Sequence, residues 1–168
     1  SLSSLVDWKD RSTCILFGDG AGAVVLRAEE GESYHMVTHS DGSKGEALTC
    51  DTGSFMKMDG QEVFKFAVRQ VPACIAEVME HNHLMAEDID YFILHQANRR
   101  IVEAVAKRMK VELTKFPMNL QEYGNTSSAS IPLLLDEMNR EGRLKKGQKL
   151  VLAGFGAGLS WGASLLEW

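Results

Sequence analysis

The sequence is poor in cysteine and has no long apolar run. Its 168 residues include three cysteines, Cys14, Cys50 and Cys74, without a Cys-x-x-Cys pair, so neither a zinc site nor a disulfide framework is expected. No apolar run approaches the roughly 18 residues that span a bilayer, and no charged-then-apolar leader opens the chain. We therefore expect a cytoplasmic protein with no membrane segment and no metal.

An excess of basic residues is also missing. The formal net charge is -5, whereas a general nucleic-acid binder needs a basic face to neutralise phosphates. Residues 99–110 are a local exception, with five basic residues against the single acid Glu103. From charge alone, a solvated helix face and a functional patch explain this segment equally well.

The remaining composition is that of a globular domain. Hydrophobic residues make up 45% of the sequence and charged residues 24%, enough for one domain with a real core. The chain begins at Ser1 without a methionine, and we expect that further polypeptide precedes it.

A histidine at the end of an apolar run is the first indication of a functional site. Residues 91–94 are typical of a buried strand, and apolar side chains recur at helical spacing over residues 101–109. His95 should therefore lie at the carboxyl end of a strand, the edge where ligands bind in open α/β sheets. A hydrogen-bonded core histidine is the alternative interpretation at this point.

The other patterns predict alternating strands and helices. A helix is expected from about residue 61 to 80, with a kink at Pro72, and residues 40–57 are expected to form a long loop. Strands are predicted at residues 13–17, 23–27, 34–40, 149–153 and 159–168.

Two glycine-rich turns suggest an internal repeat. Residues 18–22 and 154–158 share the pattern Gly-x-Gly-Ala-Gly, each between two predicted strands, which indicates the same hairpin at the end of two similar units. A phosphate-binding loop is disfavoured because no Gly-Lys-Ser/Thr follows and the glycines lead into a strand rather than a helix.

Four of these pieces together resemble a known family. His95-Gln96-Ala97-Asn98, the run Tyr-Gly-Asn-Thr-Ser-Ser-Ala-Ser-Ile-Pro at residues 123–132 and the two glycine turns are similar to β-ketoacyl-acyl-carrier-protein synthase III. The resemblance implies an α/β, thiolase-like fold built from two pseudo-repeated halves. Residues 1–28 would end the N-terminal half as a strand hairpin. Residues 29–168 would form the C-terminal half, with a mixed five-stranded sheet and packed helices.

The resemblance also implies an activity. These enzymes are acyltransferases that condense acetyl-coenzyme A with malonyl-acyl-carrier protein to initiate fatty-acid synthesis, without a cofactor beyond coenzyme A thioesters. His95 and Asn125 match the residues that assist decarboxylation of the malonyl group, and their N–H groups would stabilise the enolate oxygen. The nucleophilic cysteine belongs to the N-terminal half, and none of the three cysteines here matches it. Cys74 is expected to pack as a small apolar residue.

Further positions carry over from the family. Gly156 and Ala157 match the oxyanion-hole turn, and Arg100, Lys107 and Arg108 match the docking helix for acyl carrier protein. Arg100 and Lys107 are seven residues apart, about two turns, so they should share a face. The family is homodimeric. Matches to the coenzyme A channel are Met58, Gly60, Phe64, Ala97, Asn98 and Ile101.

Two alternatives remain open at this stage. One is another thiolase-fold condensing enzyme, chalcone-synthase-like, hydroxymethylglutaryl-coenzyme A synthase-like or a relative with a different starter. Elongating synthases pair two histidines, so Asn125 disfavours them. The other alternative is a non-catalytic thiolase-like half that serves as a scaffold or binding partner.

Overall fold

A mixed sheet organises the chain. The computed structural model describes residues 1–25, 30 and 35–168. Within them, the main sheet has four strands in the order β1-β6-β5-β4, and a separate ribbon pairs β2 with β3. The parallel pair is β4 with β5, whereas β6 runs antiparallel to both β5 and β1. The strands are β1 (Met36–Ser40), β2 (Leu48–Thr49), β3 (Lys57–Met58), β4 (Tyr91–Leu94), β5 (Lys149–Gly156) and β6 (Ser160–Glu167).

In the described residues, four α-helices and several 3-10 turns connect the strands. The α-helices are α1 (Gly60–His81), α2 (Arg99–Met109), α3 (Leu120–Tyr123) and α4 (Ser130–Arg140). The 3-10 turns are Gly42–Ala47, Ala86–Asp88, Leu113–Lys115 and Ser127–Ala129. The predicted loop at residues 40–57 therefore contains a 3-10 turn and β2.

Side-chain alternation in β4 and β5 gives the sheet two buried faces. Phe92 and Leu94 belong to the core cluster formed with α1 and α2. Ile93 and Leu150 belong to a second cluster with α4. Successive strand residues point to opposite faces, so these continuous apolar runs are what a strand covered on both sides requires.

Helix α1 contributes more buried residues to the first core cluster than any other described element. Its start is fixed by Asp59, whose carboxylate accepts hydrogen bonds of 3.0 Å from the backbone N–H groups of Gln61 and Glu62. Val71, Ile75 and Val78 are at most 2% exposed. The helix continues through Pro72 without a break, and the kink expected there stays a prediction.

The strand hairpin predicted near the N-terminus is wrong for the described residues. Residues 13–16 form turns, and residues 18–25 have no regular structure; the last part of the predicted second strand, residues 26 and 27, lies outside the described residues. A strand needs a neighbour to hydrogen-bond its backbone. Apolar side chains of this segment are exposed to solvent instead: Ile15 is 72%, Val24 71% and Val25 99% exposed.

The expected fifth strand is likewise absent from the main sheet of the described chain. Residues 116–119 do not join it. Pro117 has no N–H to donate to a ladder, and the N–H groups of Asn119 and Leu120 donate to Gln96 Oε1 at 2.9 and 3.0 Å. The Gln96 side chain thus accepts the backbone hydrogen bonds that a neighbouring strand would otherwise accept.

The N-terminal segment pairs with Asn125 instead. Phe17 and Asn125 form a parallel bridge, in which Asn125 N–H donates to the Leu16 carbonyl and Gly18 N–H donates to the Asn125 carbonyl, both at 2.9 Å. A Cβ on Gly18 would overlap the Tyr123 carbonyl oxygen. Glycine is therefore required here for close backbone approach.

We predict that Gly18→Ala lowers the free energy of unfolding by about 1–3 kcal/mol, the usual cost of overpacking. A matched control is Gly42→Ala, because a Cβ there would meet no atom within 4 Å, and its effect should stay within about 0.5 kcal/mol. Chemical denaturation of both variants measures the difference. Equal destabilisation by the two changes would contradict the close contact at Gly18.

Candidate active site

His95 lies where the sequence predicts, directly after β4. Its backbone N–H donates to the Ala153 carbonyl at 2.8 Å. The pairing of β4 with β5 therefore continues through His95, one residue past the end of β4. Its ring packs against Phe155 with centroids 5.1 Å apart in an edge arrangement. Asn98 then begins α2, since its side chain accepts a 3.0 Å hydrogen bond from Ile101 N–H.

The imidazole of His95 is kept neutral. Burial lowers the pKa of His95 to about 4, and the nearby backbone of Ser127 opposes this shift. Its Nδ1 lies 2.8 Å from Ser130 Oγ. A neutral imidazole has one N–H donor and one acceptor nitrogen, so near pH 7 the group can donate one hydrogen bond without carrying charge.

Asn125 is 8% exposed, and both its backbone and its side chain are hydrogen-bonded. Its backbone is bridged to residues 16–18, and its side-chain Oδ1 accepts a 2.9 Å hydrogen bond from Ser127 N–H. This bond occupies the carbonyl end of the amide. The Nδ2 group, which carries the two N–H donors, is left for a ligand.

These two residues line one cavity of about 200 Å³. Gly156, the last residue of β5, and Ala157, in the turn that follows it, line the same cavity, as do Met58 and Ala97. Six residues singled out in the sequence therefore come together. His95 and Asn125 thus border the same space as the turn after β5.

The other channel residues lie elsewhere in the described chain. Gly60, Phe64, Asn98 and Ile101 do not line this cavity. Ile101 is 2% exposed in the core and Asn98 caps α2. Their assignment to a coenzyme A channel stays a prediction.

Several lining residues escaped the sequence analysis. Cys50, in the predicted loop at residues 40–57, lines the cavity directly after β2. Phe155 lines it from β5, which extends three residues beyond the predicted strand. Gln96 and Ser130 are buried around His95. The run of small polar residues at 126–130 was the available signal, but it does not show which serine contacts the histidine.

Cys74 behaves as expected. It is 2% exposed in α1, and burial, followed by the charge of Glu77, raises the pKa of its thiol to about 11. A thiol so far from ionisation is a poor nucleophile. Cys14, expected in a strand, lies in the turns of residues 11–16 instead.

The basic segment forms the exposed face of α2 and its end. Arg100, Lys107 and Arg108 are all exposed. Arg99 pairs with Glu103 at 2.7 Å, and it is the only basic residue of 99–110 with an ion pair inside the described parts of the chain. The guanidinium of Arg100 lies 5.8 Å from the centre of the Phe64 ring, a cation–π arrangement.

Neither a metal site nor a membrane-spanning helix is found in the described residues. Across residues 1–25, 30 and 35–168, no cluster of three or more His, Cys, Asp or Glu side chains is arranged to hold a metal ion. In the same residues, no helix is long and apolar enough to cross a bilayer.

Comparison with solved structures identifies the class of fold as thiolase-like. The 3-oxoacyl-[acyl-carrier-protein] synthase III of Aquifex aeolicus VF5 superimposes with a TM-score of 0.95 at 44% identity, covering 99% of this chain and 55% of that one. The priming β-ketosynthase of the R1128 polyketide pathway superimposes with a TM-score of 0.91 at 33% identity, covering 99% and 54%. The predicted thiolase-like fold is thereby confirmed.

The chain belongs to the 3-oxoacyl-[acyl-carrier-protein] synthase III family. The model of the family's C-terminal part matches residues 79–168, more than half of the chain, and a second model of the family matches residues 1–45. The β-ketoacyl-[acyl-carrier-protein] synthase III of Clostridium novyi is 48% identical over all of this chain and 56% of its own length. The chain thus spans little more than half of the curated relatives it matches.

We predict that His95 titrates far below an ordinary histidine. Between its folded pKa of about 4 and its ordinary value of 6.5, the unfolded chain binds more protons than the folded one. The free energy of unfolding should therefore fall as the pH drops through this window. His95→Gln should remove that part of the pH dependence. An NMR titration of the imidazole together with denaturation at several pH values measures it, and a midpoint near 6.5 would contradict burial as the cause.

Proposed function

We propose that the protein supplies the decarboxylating part of a β-ketoacyl-acyl-carrier-protein synthase III active site. The whole enzyme would be an acyltransferase that condenses acetyl-coenzyme A with malonyl-acyl-carrier protein to acetoacetyl-acyl-carrier protein and so initiates fatty-acid synthesis. The observation that carries this proposal is the cavity shared by His95, Asn125 and the turn at Gly156 and Ala157.

The chemistry follows from the two side-chain donors. When the bond between the malonyl α-carbon and its carboxylate breaks, CO2 leaves and the electron pair moves into the thioester to give an enolate. The negative oxygen would receive hydrogen bonds from the His95 imidazole and Asn125 Nδ2. Preorganised donors of this kind act strongly in a site that excludes water.

Condensation requires a group that this chain does not provide. The enolate carbon attacks an acyl thioester, and the thiolate of a nucleophilic cysteine leaves as the new carbon–carbon bond forms. We place that cysteine in an N-terminal half of the enzyme. Residues 1–28 would be the end of that half, and residues 29–168 would form the C-terminal half. Backbone N–H groups at Gly156 and Ala157 would stabilise the oxyanion of this step.

The remaining parts of the proposal concern partners. The exposed basic face at Arg100, Lys107 and Arg108 would dock the acidic acyl carrier protein, because complementary charge speeds encounter. The enzyme would be a cytoplasmic homodimer that uses coenzyme A thioesters and no cofactor. Neither nucleic acid nor a membrane is a proposed partner.

Removing either donor should slow decarboxylation. In the enzyme that contains this chain, His95→Ala and Asn125→Ala should each lower the rate of malonyl-acyl-carrier-protein decarboxylation by about 10²–10³-fold, the usual cost of a lost oxyanion donor. Release of CO2 from carboxyl-labelled substrate measures the rate. Unchanged decarboxylation in both variants would remove the two residues from the mechanism.

The docking face is tested by charge reversal. Arg100→Glu should slow turnover with malonyl-acyl-carrier protein, by about tenfold at low salt, because association driven by charge falls steeply when one sign is reversed. Acetyl transfer from acetyl-coenzyme A should stay nearly unchanged. Lys146→Glu, an exposed lysine in the turn before β5, is the matched control. Equal loss of both reactions in Arg100→Glu would contradict a docking role.

A second candidate is a synthase of the same fold with a different starter. The observation that favours it is the similarity to the R1128 priming β-ketosynthase, a protein of polyketide biosynthesis. Both candidates use the same decarboxylating donors. Competition between acetyl-coenzyme A and longer acyl-coenzyme A primers separates them, since only the starter pocket differs.

A further inference from the structure

Ser130 joins the side chain of His95 to the backbone of the next residue. It is the first residue of α4 and 3% exposed. Its Oγ lies 2.8 Å from His95 Nδ1 and accepts a hydrogen bond from Gln96 N–H at 3.2 Å. These are the hydrogen bonds that its hydroxyl makes among the described residues.

The direction of the contact with His95 follows from hydrogen-bond counting. Gln96 N–H can only donate, so it uses one lone pair of the serine oxygen. The hydroxyl hydrogen of a buried serine needs an acceptor, and His95 Nδ1 is the partner within reach. A nitrogen that accepts carries no proton in neutral imidazole. The ring proton is then on Nε2.

We propose that Ser130 is a positioning residue that fixes His95 as the Nε2–H tautomer. The N–H donor is thereby presented to the substrate oxygen instead of being turned back toward α4. This inference deepens the proposed function and rests on it, because the tautomer matters only if His95 donates to the enolate. The other ring nitrogen is already occupied, so Nε2 is the one left for a ligand.

Gln96 holds Ser130 in place. Its side chain is 1% exposed and fully bonded. Its Oε1 accepts the two N–H groups from Asn119 and Leu120, while Nε2 donates to Asn119 Oδ1 at 2.7 Å and to the Ser130 carbonyl at 3.4 Å. Asn119 Nδ2 in turn donates to Glu137 Oε2 on α4 at 2.9 Å. Ser130 is therefore restrained at its hydroxyl and its carbonyl by one residue.

The competing arrangement places the proton on Nδ1, which would then donate to Ser130 Oγ. The two tautomers differ in which nitrogen would meet the substrate. Only the first leaves an N–H donor on the free nitrogen.

Nitrogen NMR of histidine-labelled protein tests the tautomer without any substrate. His95→Gln identifies which resonances belong to His95. Above pH 6.5 the wild-type ring should show the pattern of Nε2 protonation, and Ser130→Ala should shift the Nδ1 resonance as its hydrogen bond is lost. Ser128→Ala, an exposed serine two residues away, should leave the spectrum unchanged. A wild-type ring protonated on Nδ1, or a Ser130→Ala spectrum identical to wild type, would overturn the proposal.

A kinetic measurement completes the test. In the enzyme containing this chain, Ser130→Ala should lower kcat for decarboxylation by about 10–100-fold, as loss of a partner that orients a functional histidine typically does, with little change in KM. Ser130→Thr keeps the hydroxyl and should restore most of the rate. A changed tautomer with unchanged kcat would overturn the positioning role. Full activity in His95→Ala would instead refute the proposed function and leave the NMR result standing.

Discussion

The parallel pairing of β4 with β5 is the constraint on which the rest of the site depends. Ile93 pairs with Leu152 and Leu94 with Ala153, and the ladder is extended by the bond from His95 N–H to the Ala153 carbonyl. Parallel strands end at the same edge of a sheet. This register therefore brings a histidine from one strand and a glycine turn from the other to a common cavity, although they are about 60 residues apart in sequence.

Sequence patterns predicted the elements that are stabilised by residues close to one another in the sequence. The apolar run before His95 and the periodic apolar stripe of α1 each contain the information for their own element. The segment at residues 13–25 has an equally strand-like composition, yet it forms turns and irregular chain in the described residues. A strand depends on a neighbouring edge, and composition does not reveal whether such an edge exists.

The same distinction applies within the candidate site. His95, Asn125, Gly156 and Ala157 could be identified because distinctive residue types lie within recognisable runs. Ser130 and Gln96 could not, because serine and glutamine are common and their roles depend on which atoms meet after folding. The position of Asn125 depends on residues far away in the sequence, because its backbone is hydrogen-bonded to Leu16 and Gly18, more than 100 positions earlier.

The contact between Arg100 and Phe64 has a thermodynamic consequence. A long arginine side chain ordinarily loses rotamer freedom when it binds an anion, a cost of about 0.5–1.5 kcal/mol. Here the guanidinium already rests on an aromatic ring of α1, so part of that ordering has taken place in the free protein. An anionic group that meets Arg100 therefore binds a side chain whose direction is set by the packing of α1 against α2.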